Sequence, residues 1–208
     1  MIKQSKEKQL EKLKQECTYF FDEVYKPNKK ILVFGEGNPN AKLVLVGEAP
    51  GKQETIQRRP FVGQAGKNLD EFLQVVGLER EDLYITNVVK FRPSKVNEDT
   101  GRTSNRPPTL EEIELSRGWL YKEIGIIRPL VVVSLGNVAL QALSNDRSKT
   151  IGQVHGTPIN IEIGESGFTT ILFPLYHPAS VIYRKGLKDT YLKDLRALKE
   201  YLQGSLHR

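Results

Sequence analysis

The chain has 208 residues, enough for one domain with a full apolar core, and carries 31 Lys and Arg against 25 Asp and Glu for a net charge of +6. That mild excess suits a polyanionic partner without specifying one. No apolar run approaches the roughly 20 residues a membrane helix needs, and no secretory leader is recognisable. The single cysteine, Cys17, excludes an internal disulfide framework and any metal cluster held by four thiolates of this chain, so a reducing cytoplasm is expected.

Segment 3–24 is predicted as a charged amphipathic helix with Leu10, Leu13, Cys17, Phe20 and Phe21 as its buried stripe. Four apolar, β-branched runs follow at Leu43–Val46, Leu83–Val89, Leu130–Leu135 and Thr170–Leu175. Helical patterns separate them over 64–77, 109–127 and 137–144, and another lies at 187–203. Strands alternating with helices predict a parallel sheet covered on both faces, with ligands at the carboxyl ends of the strands. The polar stretch Ser94–Pro108, centred on Asn97–Gly101, is expected to be a mobile loop. After its Pro107-Pro108 break, Thr109-Leu110-Glu111-Glu112 has the capping-box form of a helix start. Residues 151–170 alternate weakly around two glycine-bearing turns, which predicts a hairpin between the third and fourth main strands. Within that stretch His155 reads as a turn residue.

The strand ends carry the chemistry. The first run opens directly into residues 47–63, GEAPGKQETIQRRPFVG. Its glycines let backbone amides approach a ligand, Glu48 and Glu54 bring carboxylates, and Phe61 adds a flat apolar face. A nucleotide-binding P-loop is excluded, because only three residues separate Gly47 from Gly51 and Gln53 follows Lys52. The second run ends at Asn87. Its amide offers one donor and one acceptor, the complement of uracil's O4 and N3–H and a mismatch for cytosine. An asparagine there can equally be a turn residue bonding its own backbone. The fourth run ends at His177-Pro178, where proline stops the strand and fixes the imidazole's backbone; a structural histidine is the plainer alternative. Val181–Lys185 then sets apolar and basic side chains on one loop, suited either to wedging a duplex open or to capping the sheet.

Taken in order, GEAPG with Glu54, RPFVGQAG, ITNVVKFRP, NRPP, LVVVSLGNVAL and YHPAS resemble the uracil-DNA glycosylase superfamily over about residues 41–185, and within it family 4. The resemblance implies a three-layer αβα sandwich around a central four-stranded parallel sheet. It also implies a monofunctional enzyme that flips uracil out of DNA and hydrolyses the N-glycosidic bond. On the matching positions Phe61 would stack on the base, Asn87 would read its edge, and Ala49 would line the pocket. His177 would donate to uracil O2. Glu54 is the candidate for positioning water or closing the pocket against a thymine methyl, and Glu48 is a further catalytic candidate. Asn105 and Arg106, with Ser180, Tyr183, Arg184 and Lys185, would face DNA. Ala49 stands where the best-known family of this superfamily has a water-activating aspartate, so no single general base is implied. The expected partner is uracil-containing DNA, met by a monomer without a membrane. A non-catalytic DNA-binding module, or a glycosylase for hypoxanthine or mispaired thymine, would share these features.

One departure stands out. Family 4 members hold a [4Fe–4S] cluster on four cysteines, whereas here Cys17 is followed by Phe20 and Phe91, and the fourth position falls at Leu115 or Ser116. One thiolate cannot hold that cluster. The expectation is that Phe20 and Phe91 fill its volume and tie the N-terminal helix to the linker by apolar packing. Purified protein should therefore lack absorbance near roughly 400 nm, and stoichiometric iron in it would refute the expectation.

Overall fold

A computed structural model describes residues 4–165, 167–183 and 185–206, with the backbone alone for 182, 183, 185, 205 and 206. In chain order the elements are α1 (Lys6–Val24), β1 (Glu36–Gly37), β2 (Leu43–Gly47), α2 (Lys52–Gln57), α3 (Gln64–Val76) and β3 (Leu83–Asn87). Next come the paired β4 (Ser94–Val96) and β5 (Thr103–Asn105), α4 (Leu110–Ile127), β6 (Val131–Leu135) and α5 (Asn137–Ser144). The chain continues through α6 (Ile151–Val154), β7 (Ile159–Ile163), β8 (Phe168–Leu175), α7 (Pro178–Tyr183) and α8 (Lys188–Leu206). Among the described residues no helix is long and apolar enough to cross a membrane.

The sheet order is β1-β3-β2-β6-β8-β7. Its four central strands are parallel, and every residue of β2, β3 and β6 is buried, as a sheet covered on both faces requires. Period-two alternation splits these strands between two apolar layers. Val44, Val46 and Val132 face α1, α4 and α5, while Leu43, Leu45, Val131 and Val133 face α3 and α8.

The expectation of a four-stranded, wholly parallel sheet needs correction: the sheet is six-stranded and mixed. β1 pairs antiparallel with β3 at one edge, and β7 pairs antiparallel with β8 at the other. With two residues, β1 is too short to leave a periodic signal. The hairpin expected before the fourth main strand uses that strand as its own second arm, because β8 begins at Phe168. Within 94–108 the chain forms a short antiparallel ladder, Ser94 opposite Asn105 and Val96 opposite Thr103. The capping box at Thr109 is formed, and Arg106 adds a two-pronged ion pair to Glu112 at 2.7 Å on each arm.

Phe20 and Phe91, at positions matched to the family's cluster cysteines, both pack among aromatic rings. Cys17 is wholly buried, and burial pushes its thiol pKa up to about 12, so it stays protonated and unreactive. The Phe91 ring meets Phe21 at 5.5 Å and Tyr25 at 5.2 Å, edge to face. Phe20 instead packs on Trp119 at 5.5 Å. Phe20 thus ties α1 to α4, while Phe91 joins α1 to the segment after β3. Ser116, at one of the two positions aligned with the fourth cysteine, is buried with its hydroxyl unpartnered. One protonated thiol, one hydroxyl and phenyl rings are the wrong donor set for an iron–sulfur cluster. Among the described residues no group of His, Cys, Asp and Glu could hold a metal ion.

Because Phe91 is about 1% exposed, Phe91→Ala should lower stability by about 3–5 kcal/mol, read as a fall in the urea midpoint at unchanged slope.

Candidate active site

The parallel register sets Gly47, the end of β2, beside Asn87, the end of β3. The two segments leave the sheet together, with the Val88 N–H donating to the Gly47 carbonyl at 2.9 Å and the Val89 N–H to the Glu48 carbonyl at 3.0 Å. A Cβ on residue 47 would lie 2.4 Å from Asn87 Oδ1 and 2.5 Å from the Phe61 ring. The bare backbone at Gly47 is what lets the ring and the amide share one spot.

Phe61 sits in the left-handed region, φ 52°, a conformation that costs a residue other than glycine on the order of 1–3 kcal/mol. Its surroundings hold it there. Its carbonyl accepts from the Arg80 guanidinium at 2.7 Å. The next two amides, Val62 and Gly63, donate to Glu54 Oε1 at 3.1 and 2.7 Å. Glu54 Oε2 accepts from the Gly51 N–H at 3.1 Å. One buried carboxylate therefore closes both ends of the 51–63 loop, using acceptor capacity that a water-positioning role would also need.

His177 follows β8, and its Cβ would come within 3.3 Å of any Cβ placed on Gly136. Its Nδ1 accepts from the Ala179 N–H at 3.2 Å. Burial holds its pKa down at about 4, so near neutral pH the ring is uncharged, and with Nδ1 accepting, the single proton resides on Nε2. The ring lies 6.2 Å from that of Phe61, inclined by 27°. Burial also raises the Glu48 carboxyl pKa.

These elements enclose a cavity of about 370 Å³ lined by Ala49, Glu54, Phe61, Asn87, Asn105 and His177, among others. Within the described residues the Asn87 side chain makes no hydrogen bond. Glu48 is half-buried and does not line the cavity. Asn105 reaches it from β5, its Oδ1 accepting from Arg92 at 2.6 Å. Arg106 is committed to Glu112. Ser180 is exposed on α7. Arg184 lies outside the described residues, as do the side chains of Tyr183 and Lys185. Lys52, Gln53 and Gln64 also line the cavity. Gln64 could have been found in RPFVGQAG; the other two carry no motif signal. His155, read as a turn residue, ends α6 and pairs through Nδ1 with Asp194 Oδ2 on α8 at 2.8 Å, away from the cavity.

A family profile for the uracil DNA glycosylase superfamily matches residues 34–202. A type-4 uracil-DNA glycosylase of Archaeoglobus fulgidus is 41% identical over 169 residues, spanning 80% of this chain and 79% of that protein. The type-4 enzymes of Saccharolobus solfataricus and Thermotoga maritima are 37% and 36% identical over 178 residues each. These cover 84% and 85% of this chain, and 77% and 85% of those proteins.

Replacing the Glu54 carboxylate by an amide sets an N–H₂ group against a backbone N–H. Glu54→Gln should lower stability by about 1.5–3 kcal/mol in urea unfolding and speed hydrogen exchange at the Val62 and Gly63 amides.

Proposed function

Because this chain belongs to the uracil DNA glycosylase superfamily, we propose that it hydrolyses the N-glycosidic bond of uracil in DNA, with the cavity at the strand ends receiving the flipped base. The observation that carries this reading is the convergence of the Phe61 face, the unpartnered Asn87 amide and the uncharged His177 ring around one cavity. In this reading the Asn87 amide donates to uracil O4 and accepts from N3–H, while Phe61 covers the base. The departing uracil takes the electron pair of the C1′–N1 bond, and negative charge gathers on O2. His177 Nε2–H donates to that oxygen without giving up its proton, and a water oxygen forms the new bond to C1′, its surplus proton passing to the departing uracil anion. A positive imidazole would bind an anion more strongly, yet burial disfavours it; the neutral ring is a preset dipole that needs no rearrangement.

Ala49 supplies no base, and Glu54 is engaged with three amides. Glu54 therefore acts as a positioning residue for the Phe61 loop. Much of the rate then comes from stabilising the leaving group, with water guided by the cavity wall. Asn105 and the exposed Ser180 stand at the DNA-facing side, and Arg106 shapes the loop before α4. In this reading the acting species is a monomer.

Uracil release from single-stranded and G·U duplex DNA tests the reading. His177→Ala should lower kcat by about 10²–10³, and Asn87→Ala should lower release of uracil; a wild-type protein that binds uracil DNA and releases nothing would overturn it. A second outcome concerns pH. Since the folded pKa of His177 lies near 4, below the ordinary value of about 6.5, kcat/KM should show no inflection near 6.5. Stability carries the matching sign: the unfolded chain binds this proton first, so the His177 contribution is complete above about 6.5 and declines as pH falls towards 4.

A further inference from the structure

Directly behind Asn87 lies a charged pair that the reaction as described does not use. Lys90 and Glu123 are both fully buried, with Nζ 2.5 Å from Oε2. The ammonium has three protons and three acceptors: Glu123 Oε2, Thr86 Oγ1 at 2.7 Å and the Asn87 carbonyl at 2.9 Å. The carboxylate is equally filled. Its Oε1 accepts from the Tyr84 hydroxyl at 2.7 Å and the Gly35 N–H at 3.1 Å, and its Oε2 also accepts from Thr86 at 2.9 Å. Desolvating two charges is costly enough that an apolar pair of similar volume would serve stability as well. What an apolar pair could not do is hold one backbone carbonyl at a fixed place.

We infer that Lys90 and Glu123 are positioning residues for Asn87, fixing the backbone from which its amide reaches the base. The Asn87 side chain has no partner of its own among the described residues. Its direction therefore depends on the Gly47 and Phe61 walls in front and on the anchored carbonyl behind. Glu123 belongs to α4 and Gly35 precedes β1, so the anchor ties the second strand end to two elements outside the cavity. The inference rests on Asn87 reading the base.

The pair Lys90→Met/Glu123→Gln removes both charges at similar volume. Single-turnover release of uracil from a G·U duplex should fall about tenfold, while affinity for the matching uracil-free duplex stays within about twofold. In an Asn87→Ala background the same changes should cost less than about twofold, because the group they position is gone. Equal losses in both backgrounds overturn the inference and leave the reading of Asn87 standing; an Asn87→Ala protein that releases uracil at the wild-type rate overturns both. Should the charge-free pair fail to fold, Thr86→Val removes one acceptor of the ammonium at constant shape. Its expected loss is about threefold in the same cycle, and additive losses there overturn the inference.

Discussion

The fold is organised around the buried carboxylate of Glu123. Four donors from three separate places converge on it: Gly35 before the first edge strand, Tyr84 and Thr86 on β3, and Lys90 just beyond. A carboxylate in an apolar interior is tolerated only when its acceptor capacity is used. The requirement runs in both directions, since the donors also lose water and need this acceptor. Helix α4 must consequently pack in one register against β3, and the rest of that apolar layer follows. The two opposite charges balance inside the layer, so the pair presents the cavity above it with a dipole and no net charge.

The cavity wall obeys a related logic at Glu54, which substitutes for water on three amides and keeps Phe61 in a left-handed conformation it would not adopt freely. Two carboxylates, one behind Asn87 and one behind Phe61, thus serve geometry. In the proposed reaction the group left to meet developing charge is an uncharged ring. In that reading the polar work at the base falls to oriented dipoles set before charge develops, beside the Glu54 carboxylate and Lys52 that also line the cavity.

The sequence made the central sheet legible because buried parallel strands are long apolar runs and their helices have clear periods and caps. Asn87, His177 and Phe61 were readable because each stands at the end of such a run or in the loop that leaves it. The edge strand β1 escaped because it is only two residues long, whereas β7 falls in the expected hairpin, whose second arm is the fourth main strand itself. Glu54 signalled a carboxylate near a ligand, but its commitment to backbone amides is a matter of loop closure that spacing does not encode. Lys90 and Glu123 are 33 residues apart, and nothing local marks a lysine in ITNVVKFRP or a glutamate in a charged helix as partners. Only the packing of α4 onto the sheet brings them together.

The rings around Phe91 have a consequence for how the protein can be made and kept. A core joined by phenyl and indole contacts needs no assembly machinery to deliver a prosthetic group and loses nothing to a chelator. Its one thiol, buried and protonated, is also shielded from oxidants. The N-terminal helix is therefore secured by side chains that the chain itself supplies.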